Sequence, residues 1–214
     1  QKMLEGGKHK LLCALALESD ELHRAVAGKL DVLAADSRGE VRAAAAEIRQ
    51  MIRQSHLAQL QSMMRLEKNQ RDVRRILDKL AQVASYYPGD GDTATVLTEA
   101  FFMDIYEVRS EALKLLTEMR AAGALQSILS KLEGRADYVN IKLDVIRALS
   151  STAEPQVFSA LFEVFEKSKD GDSQKAAGEG LVLLLKSVRP DARTLAESER
   201  RVSAYVAPRK AALR

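Results

Sequence analysis

The 214-residue sequence predicts an all-α fold of about five helix pairs arranged in series, and three observations carry that expectation. The first is composition. The chain is 46% apolar, 29% charged and only 5% aromatic, with no Trp, four Pro and an abundance of Ala and Leu. That is enough apolar content for a sizeable core, and small and γ-branched side chains suit helix packed on helix. The second is a repeated phrase, and the third is a helical stretch that precedes each copy of it.

The phrase is a cap-type residue followed, five positions on, by Arg or Lys. It runs from Ser37 to Val41-Arg42, Asn69 to Val73-Arg74, Asp104 to Val108-Arg109, Asp137 to Ile141-Lys142, and Asp170 to Lys175. Its basic residues are 32, 35, 33 and 33 positions apart, an interval too even for coincidence and of the size of a helical-repeat unit. Ser, Asn or Asp at its head supplies an oxygen for the orphan amides of a first helical turn. Apolar residues then follow at helical spacing, as in Ile105, Val108, Ala112, Leu115, Leu116 and Met119, or Val73, Ile76, Leu77, Leu80, Val83 and Ala84.

Ahead of each phrase lies another helix. Leu125, Ile128, Leu129 and Leu132 end at Gly134, and Val157, Leu161, Val164 and Phe165 follow Pro155, the usual placement of Gly and Pro at helix ends. The expected pairs are 20–34 with 37–53, 55–67 with 69–85, 93–102 with 104–121, 122–133 with 137–151, and 154–168 with 172–188. Tyr86 to Asp92 reads as a turn between pairs two and three. Residues 1–188 form the repeat domain, 1–19 being an N-terminal cap or partial repeat around an apolar helix at 8–17, and 189–214 a basic, loosely helical tail.

Over residues 20–188 the chain resembles HEAT repeats, which carry Asp and then Val-Arg at the head of the second helix, as in Asp104-Ile105-Tyr106-Glu107-Val108-Arg109. Armadillo repeats are the lesser alternative. The resemblance implies a right-handed α-α superhelix whose second helices line the concave surface, with Asp and Arg forming a ladder between neighbouring repeats. Ser37 and Asn69 stand where the family has Asp, and Gln174 where it has Val, which weakens the ladder at those copies.

Catalytic and metal chemistry find no foothold. Asp90-Gly91-Asp92 and Asp170-Gly171-Asp172 look like calcium loops, but the twelfth positions are Phe101 and Leu181 where a bidentate Glu is needed. His9, His23 and His56 share no helical spacing and are expected on the surface; the His-Glu set of HEAT-like di-iron hydroxylases is absent. Gly178-Glu179-Gly180 falls inside a helix and no serine sits in a nucleophile elbow. Cys13 is alone in an apolar run, so no intramolecular disulfide forms. Met63 continues the Leu57, Leu60 spacing and is expected in the core. No enzyme activity, cofactor or metal is expected. HEAT-like alkylpurine glycosylases use an aromatic-bearing cleft, which the lack of Trp disfavours.

Charge is uneven. Residues 48–79 and 186–214 each carry +5, residues 80–185 carry −6 and residues 1–47 carry −1, for a net +3. With the apolar stripes facing the core, the outward row of the second helices comprises Gln50 and Arg53, then Arg71, Arg75, Asp78 and Gln82, then Ser110, Lys114 and Thr117, then Asn140 and Arg147, then Glu179 and Lys186. Leu143 and Leu183 are expected to project from the same face. Gln50, Arg53, Arg71, Arg75, Gln82, Lys114 and Arg147 are the candidate partner-binding residues of a non-enzymatic protein-interaction scaffold. The alternative is a nucleic-acid-binding module using the 48–79 band and the basic tail, with steep salt dependence. No stretch approaches the length of a membrane span. The chain opens with Gln1, so it reads as part of a longer protein, and a cytoplasmic location is expected.

Overall fold

The computed structural model describes residues 19–66, 72–133, 135, 138–187, 196 and 200. Among them there is no strand, and nine helices are bounded: α1 (Asp20–Ala34), α2 (Gly39–Arg65), α3 (Val73–Tyr86), α4 (Gly91–Phe101), α5 (Tyr106–Glu118), α6 (Ala122–Leu132), α7 (Val139–Ser151), α8 (Val157–Lys167) and α9 (Gly171–Ser187). The chain divides into two compact units, Gln1–Tyr87 and Pro88–Arg214. None of the described helices is long and apolar enough to cross a membrane. Cys13, Asn69, Asp137 and the tail beyond 188, apart from 196 and 200, lie outside the described residues, as do His9 and Arg71.

In the first unit α1 starts where expected, Ser19 Oγ accepting from the Leu22 amide at 3.1 Å. The second helix of pair one and the first of pair two, expected to break near residue 54, are instead the single 27-residue α2. Past its first residue, Gly39, the helix contains neither Gly nor Pro, and the Ser55 hydroxyl donates to the Met51 carbonyl at 2.9 Å, so its polar group is satisfied within the helix. Ile52, His56, Leu60 and Met64, four apart, make one unbroken buried stripe through the expected break. Met64 is the buried methionine; Met63 is half-buried. Helix α3 is capped by Asp72, whose Oδ1 accepts from the Arg75 amide at 3.1 Å. Both α1 and α3 pack on α2, and Leu30, Ala45 and Ile52 form a core flanked by Val26, Ile48 and Met51.

In the second unit the three expected pairs are present, each boundary within three residues of its predicted place. They are α4 with α5, α6 with α7, and α8 with α9. The first helices touch one another in sequence, α4 on α6 and α6 on α8, and so do the second helices, α5 on α7 and α7 on α9. The pairs therefore form two rows, and the core runs between them through Leu97, Leu116, Leu125, Ile128, Ile146, Leu149 and Leu161. Burying each such side chain contributes about 1.5–3 kcal/mol. The second helices of the first two pairs here end in the same way. Arg120 (φ 51°) and Ala153 (φ 56°), 33 residues apart, each take the left-handed conformation two positions past the helix, a turn in which Gly is the usual residue.

Two of the motifs that resemble calcium loops are helix caps. Asp90 Oδ2 accepts from the Thr93 amide at 2.8 Å and from its hydroxyl at 2.9 Å. Asp170 Oδ2 likewise accepts from the Ser173 amide at 3.1 Å and its hydroxyl at 2.5 Å. Thr93 and Ser173 are fully buried, so the carboxylate both starts the helix and satisfies a hydroxyl inside it. Of the expected caps, Ser37 differs. The N-cap position of α2 is Arg38, and Asp36 Oδ1 accepts from the Arg38 amide at 2.8 Å instead. Helix α5 starts after Ile105, which has no side-chain oxygen to offer.

The basic residue of the phrase has a definite task. Arg42 Nη1 donates to the carbonyls of Asp36 and Ser37, both at 2.8 Å. Arg109 donates through Nη2 to the Met103 carbonyl at 3.1 Å and through Nε to the Phe101 carbonyl at 3.3 Å. Gln174 Nε2 donates to the Ser168 carbonyl at 2.8 Å. Each is the fourth residue of its helix and reaches back six residues to clamp the turn joining the helices of its pair. The last copy is thus shifted by one: Gln174, not Lys175, occupies the place of the Arg. Lys142, fourth in α7, reaches into the next pair, its Nζ 3.3 Å from Ser168 Oγ. The Asp170 carboxyl is held below the ordinary carboxylate range first by the hydrogen bond from the Ser173 hydroxyl, then by the Asp172 and Ser173 amides, with the charge of Lys142 adding least.

Three outcomes follow. A Cβ added at Gly180 would overlap Ser150 Oγ and approach Leu161 Cδ1 to 3.1 Å, so Gly180→Ala should destabilise the chain by about 1–3 kcal/mol in denaturant unfolding, despite Ala being the better helix former. Arg109→Met, which removes two charge-assisted bonds, should cost about 1–3 kcal/mol in the same assay. Because folding depresses the Asp170 carboxyl, its contribution is present above the unfolded carboxylate range, near pH 4, and disappears as pH falls through the folded value. The stability gap between wild type and Asp170→Asn should therefore be flat from pH 6 to 8 and close on acidification (thermal melts across pH would show it).

Candidate functional site

A helix whose inner stripe is buried leaves its outer face for contact with other molecules, and in the second unit that face forms a groove. Between α5 and α7 lies a cleft of about 490 Å³. Ser110, Leu113, Lys114 and Thr117 project from α5 at three- and four-residue steps and form one wall. Ile141, Asp144 and Ala148 form the other on α7, Phe101 closes the floor, and Tyr106, 76% exposed, stands at the mouth. The lining mixes the apolar Phe101, Leu113, Ile141 and Ala148 with the charged Arg109, Lys114, Glu118 and Asp144. Lys114 Nζ lies 3.2 Å from Glu111 Oε1, and Arg147 Nη1 lies 3.3 Å from Asp144 Oδ1. Lys114, Arg147 and Asp144 are largely exposed and Glu111 is half-buried, and ion pairs at such a surface are worth under about 1 kcal/mol and exchange readily with a partner's charges.

Ser110, Lys114 and Thr117, three members of the outward row read from the sequence, meet in this groove. Arg147 is exposed one turn along α7 from Asp144. Asn140 is exposed on the same helix, and Glu179 and Lys186 are exposed on α9. Leu183 projects as expected, 56% exposed, whereas Leu143 is half-buried.

In the first unit a separate cleft of about 520 Å³ is lined by α1, α2 and the end of α3. It takes Gln50 and Arg53 from the expected row. Arg75 is exposed on α3, while Gln82 is half-buried, accepting from the buried Lys79 at 2.5 Å and donating to Tyr86 Oη at 3.4 Å. Gln82 therefore serves Lys79 before it can serve a partner, because a buried ammonium needs an acceptor.

The histidines are where the structure departs furthest from expectation. His23 and His56 are not on the surface. Both are buried, and their rings lie 5.1 Å apart across α1 and α2. Tyr86 stacks on His23 with centroids 3.6 Å apart and planes within 3°. Tyr87 meets His23 edge-on at 6.2 Å and His56 at 5.9 Å. Helical spacing held the signal: His23 falls on the stripe of Val26, Ala27 and Leu30, and His56 on that of Ile52 and Leu60. Reading the histidines against one another rather than against their apolar neighbours hides it.

Among the described residues no group of three or more His, Cys, Asp or Glu is placed to hold a metal ion. The chain matches no known family model and none of the curated proteins with which its sequence was compared.

Proposed function

We propose that the chain is a HEAT-like α-solenoid, a right-handed superhelix of helix pairs, and that it works as a non-enzymatic scaffold binding a protein partner along the face of its second helices. The observation that carries this reading is the α5–α7 groove, in which Ser110, Lys114 and Thr117 stand beside apolar Leu113 and Ile141 and charged Asp144. Three features of the second unit support the repeat. The pairs pack in two rows, the fourth residue of each second helix serves a turn, and Lys142 acts on Asp170 of the following pair as a ladder residue would. A mixed groove of this kind suits an amphipathic segment whose apolar side chains enter beside Leu113 and Ile141.

The test uses the full chain carrying a photo-crosslinking residue at Thr117, in the groove, or at Ser130, exposed on a first helix. Protein adducts should form at residue 117 and not at 130. Ser110→Trp with Lys114→Glu should reduce them by roughly tenfold or more while leaving the melting temperature within a few degrees. Equal adduct formation at both positions, or no loss in the groove variant, overturns the reading. A labelled duplex bound at low salt and released steeply as salt rises would point instead to nucleic acid on the 48–79 band.

A further inference from the structure

The cleft of the first unit has a different chemistry from the groove of the second. Part of its lining is flat rings with polar edges: His23 stacked parallel on Tyr86, and Tyr87 standing perpendicular to both. The same lining carries two guanidinium groups, Arg49 and Arg53, four residues apart on α2 and so on the same face. At a rise of 1.5 Å per residue, Arg53 sits about 5 Å and Arg49 about 10 Å along the helix from the level of His56, whose ring belongs to the same cluster. Val26, Ala27 and Leu30 of α1 close the long side with an apolar wall. The cleft has the size of a small-molecule pocket, about 300–1,000 Å³.

We propose that this cleft binds a mononucleotide-like ligand, a planar heteroaromatic ring joined to a phosphate. The ring lies against the rings of His23, Tyr86 and Tyr87, where stacking accepts any base because every base has a π-face. The phosphate meets Arg53 and Arg49, whose forked donors match its oxygens better than an ammonium would. The cleft already shows such a pairing: the Asp31 carboxylate on α1 is ion-paired with the guanidinium of Arg49, holding the place of a ligand anion. Both members of that pair are exposed enough to exchange, 43% for Arg49 and 72% for Asp31. Asp31 is therefore a competitor for the phosphate, an assignment that a purely structural role for these residues does not make.

Calorimetric titration of the full chain with adenosine 5′-monophosphate tests this, with adenosine and inorganic phosphate as the two half-ligands. The monophosphate should bind roughly tenfold or more tightly than either half. Arg53→Met and Tyr87→Leu should each weaken it by about tenfold. Asp31→Asn should tighten it by roughly threefold, the scale of one exposed ion pair. Circular dichroism checks folding, and Arg49→Gln, at a more exposed position, replaces Arg53→Met should that variant unfold. A ten-nucleotide oligo(dA) binding more tightly still, with steep salt dependence, identifies the nucleotide as part of a strand. Equal affinity for strand and monophosphate identifies a free nucleotide. No monophosphate-specific heat at millimolar concentration, or an affinity indifferent to Asp31→Asn and to both arginine variants, overturns the proposal. Lys114→Glu should leave monophosphate binding unchanged, so the result stands apart from that of the groove.

Discussion

Each helix here has an apolar stripe that it cannot bury alone. Elements of 11–17 residues are marginal in water, and their stability comes from the faces they cover. In the second unit every pair meets that need by lying along the next, first helix on first and second on second. The arrangement works only where backbones can approach, and Gly180 marks the tightest place, pressed against Ser150 and Leu161. Ser150 is buried there too, its hydroxyl returned to the Ile146 carbonyl at 2.8 Å so that no polar group is stranded in the contact.

Much of the polar chemistry that draws the eye in this chain is consumed by holding turns. Arg42, Arg109 and Gln174 spend their donors on carbonyls just before their own helices. Asp90 and Asp170 spend their carboxylates on amides and buried hydroxyls. Lys79 and Gln82 bond to each other. Among the described residues, two clefts bring together side chains of contrasting chemistry. The second unit offers Ser110, Lys114 and Thr117 beside apolar Leu113 and Ile141, which suits a peptide segment. The first lines its cleft with the rings of His23, Tyr86 and Tyr87 together with the guanidinium groups of Arg49 and Arg53.

The helical class, the pair boundaries of the second unit and the outward placement of Ser110, Lys114 and Thr117 could all be read from spacing. Period is a local property that burial only reinforces. The reading failed where the deciding contact was distant in sequence. The fusion of two expected helices into α2 reflects a stripe from Ile52 to Met64 that neighbouring helices cover, and a repeat count of 33 residues argued against it. The slip from Gln174 to Lys175 came from matching charge, whereas the fold selects whichever donor stands fourth in the helix and reaches the turn.

What the sequence determined by itself was therefore which segments are helical, which face of each is greasy and where the three helix pairs of the second unit fall. Those follow from side-chain periodicity and capping within a few residues of chain. Tertiary structure decided which polar residues are spoken for and which distant ones meet. His23, His56, Tyr86 and Tyr87 span more than sixty positions yet form one cluster, because the stripes of α1, α2 and α3 bury one another. No spacing along the chain encodes such a meeting; it exists only once three helices share a core.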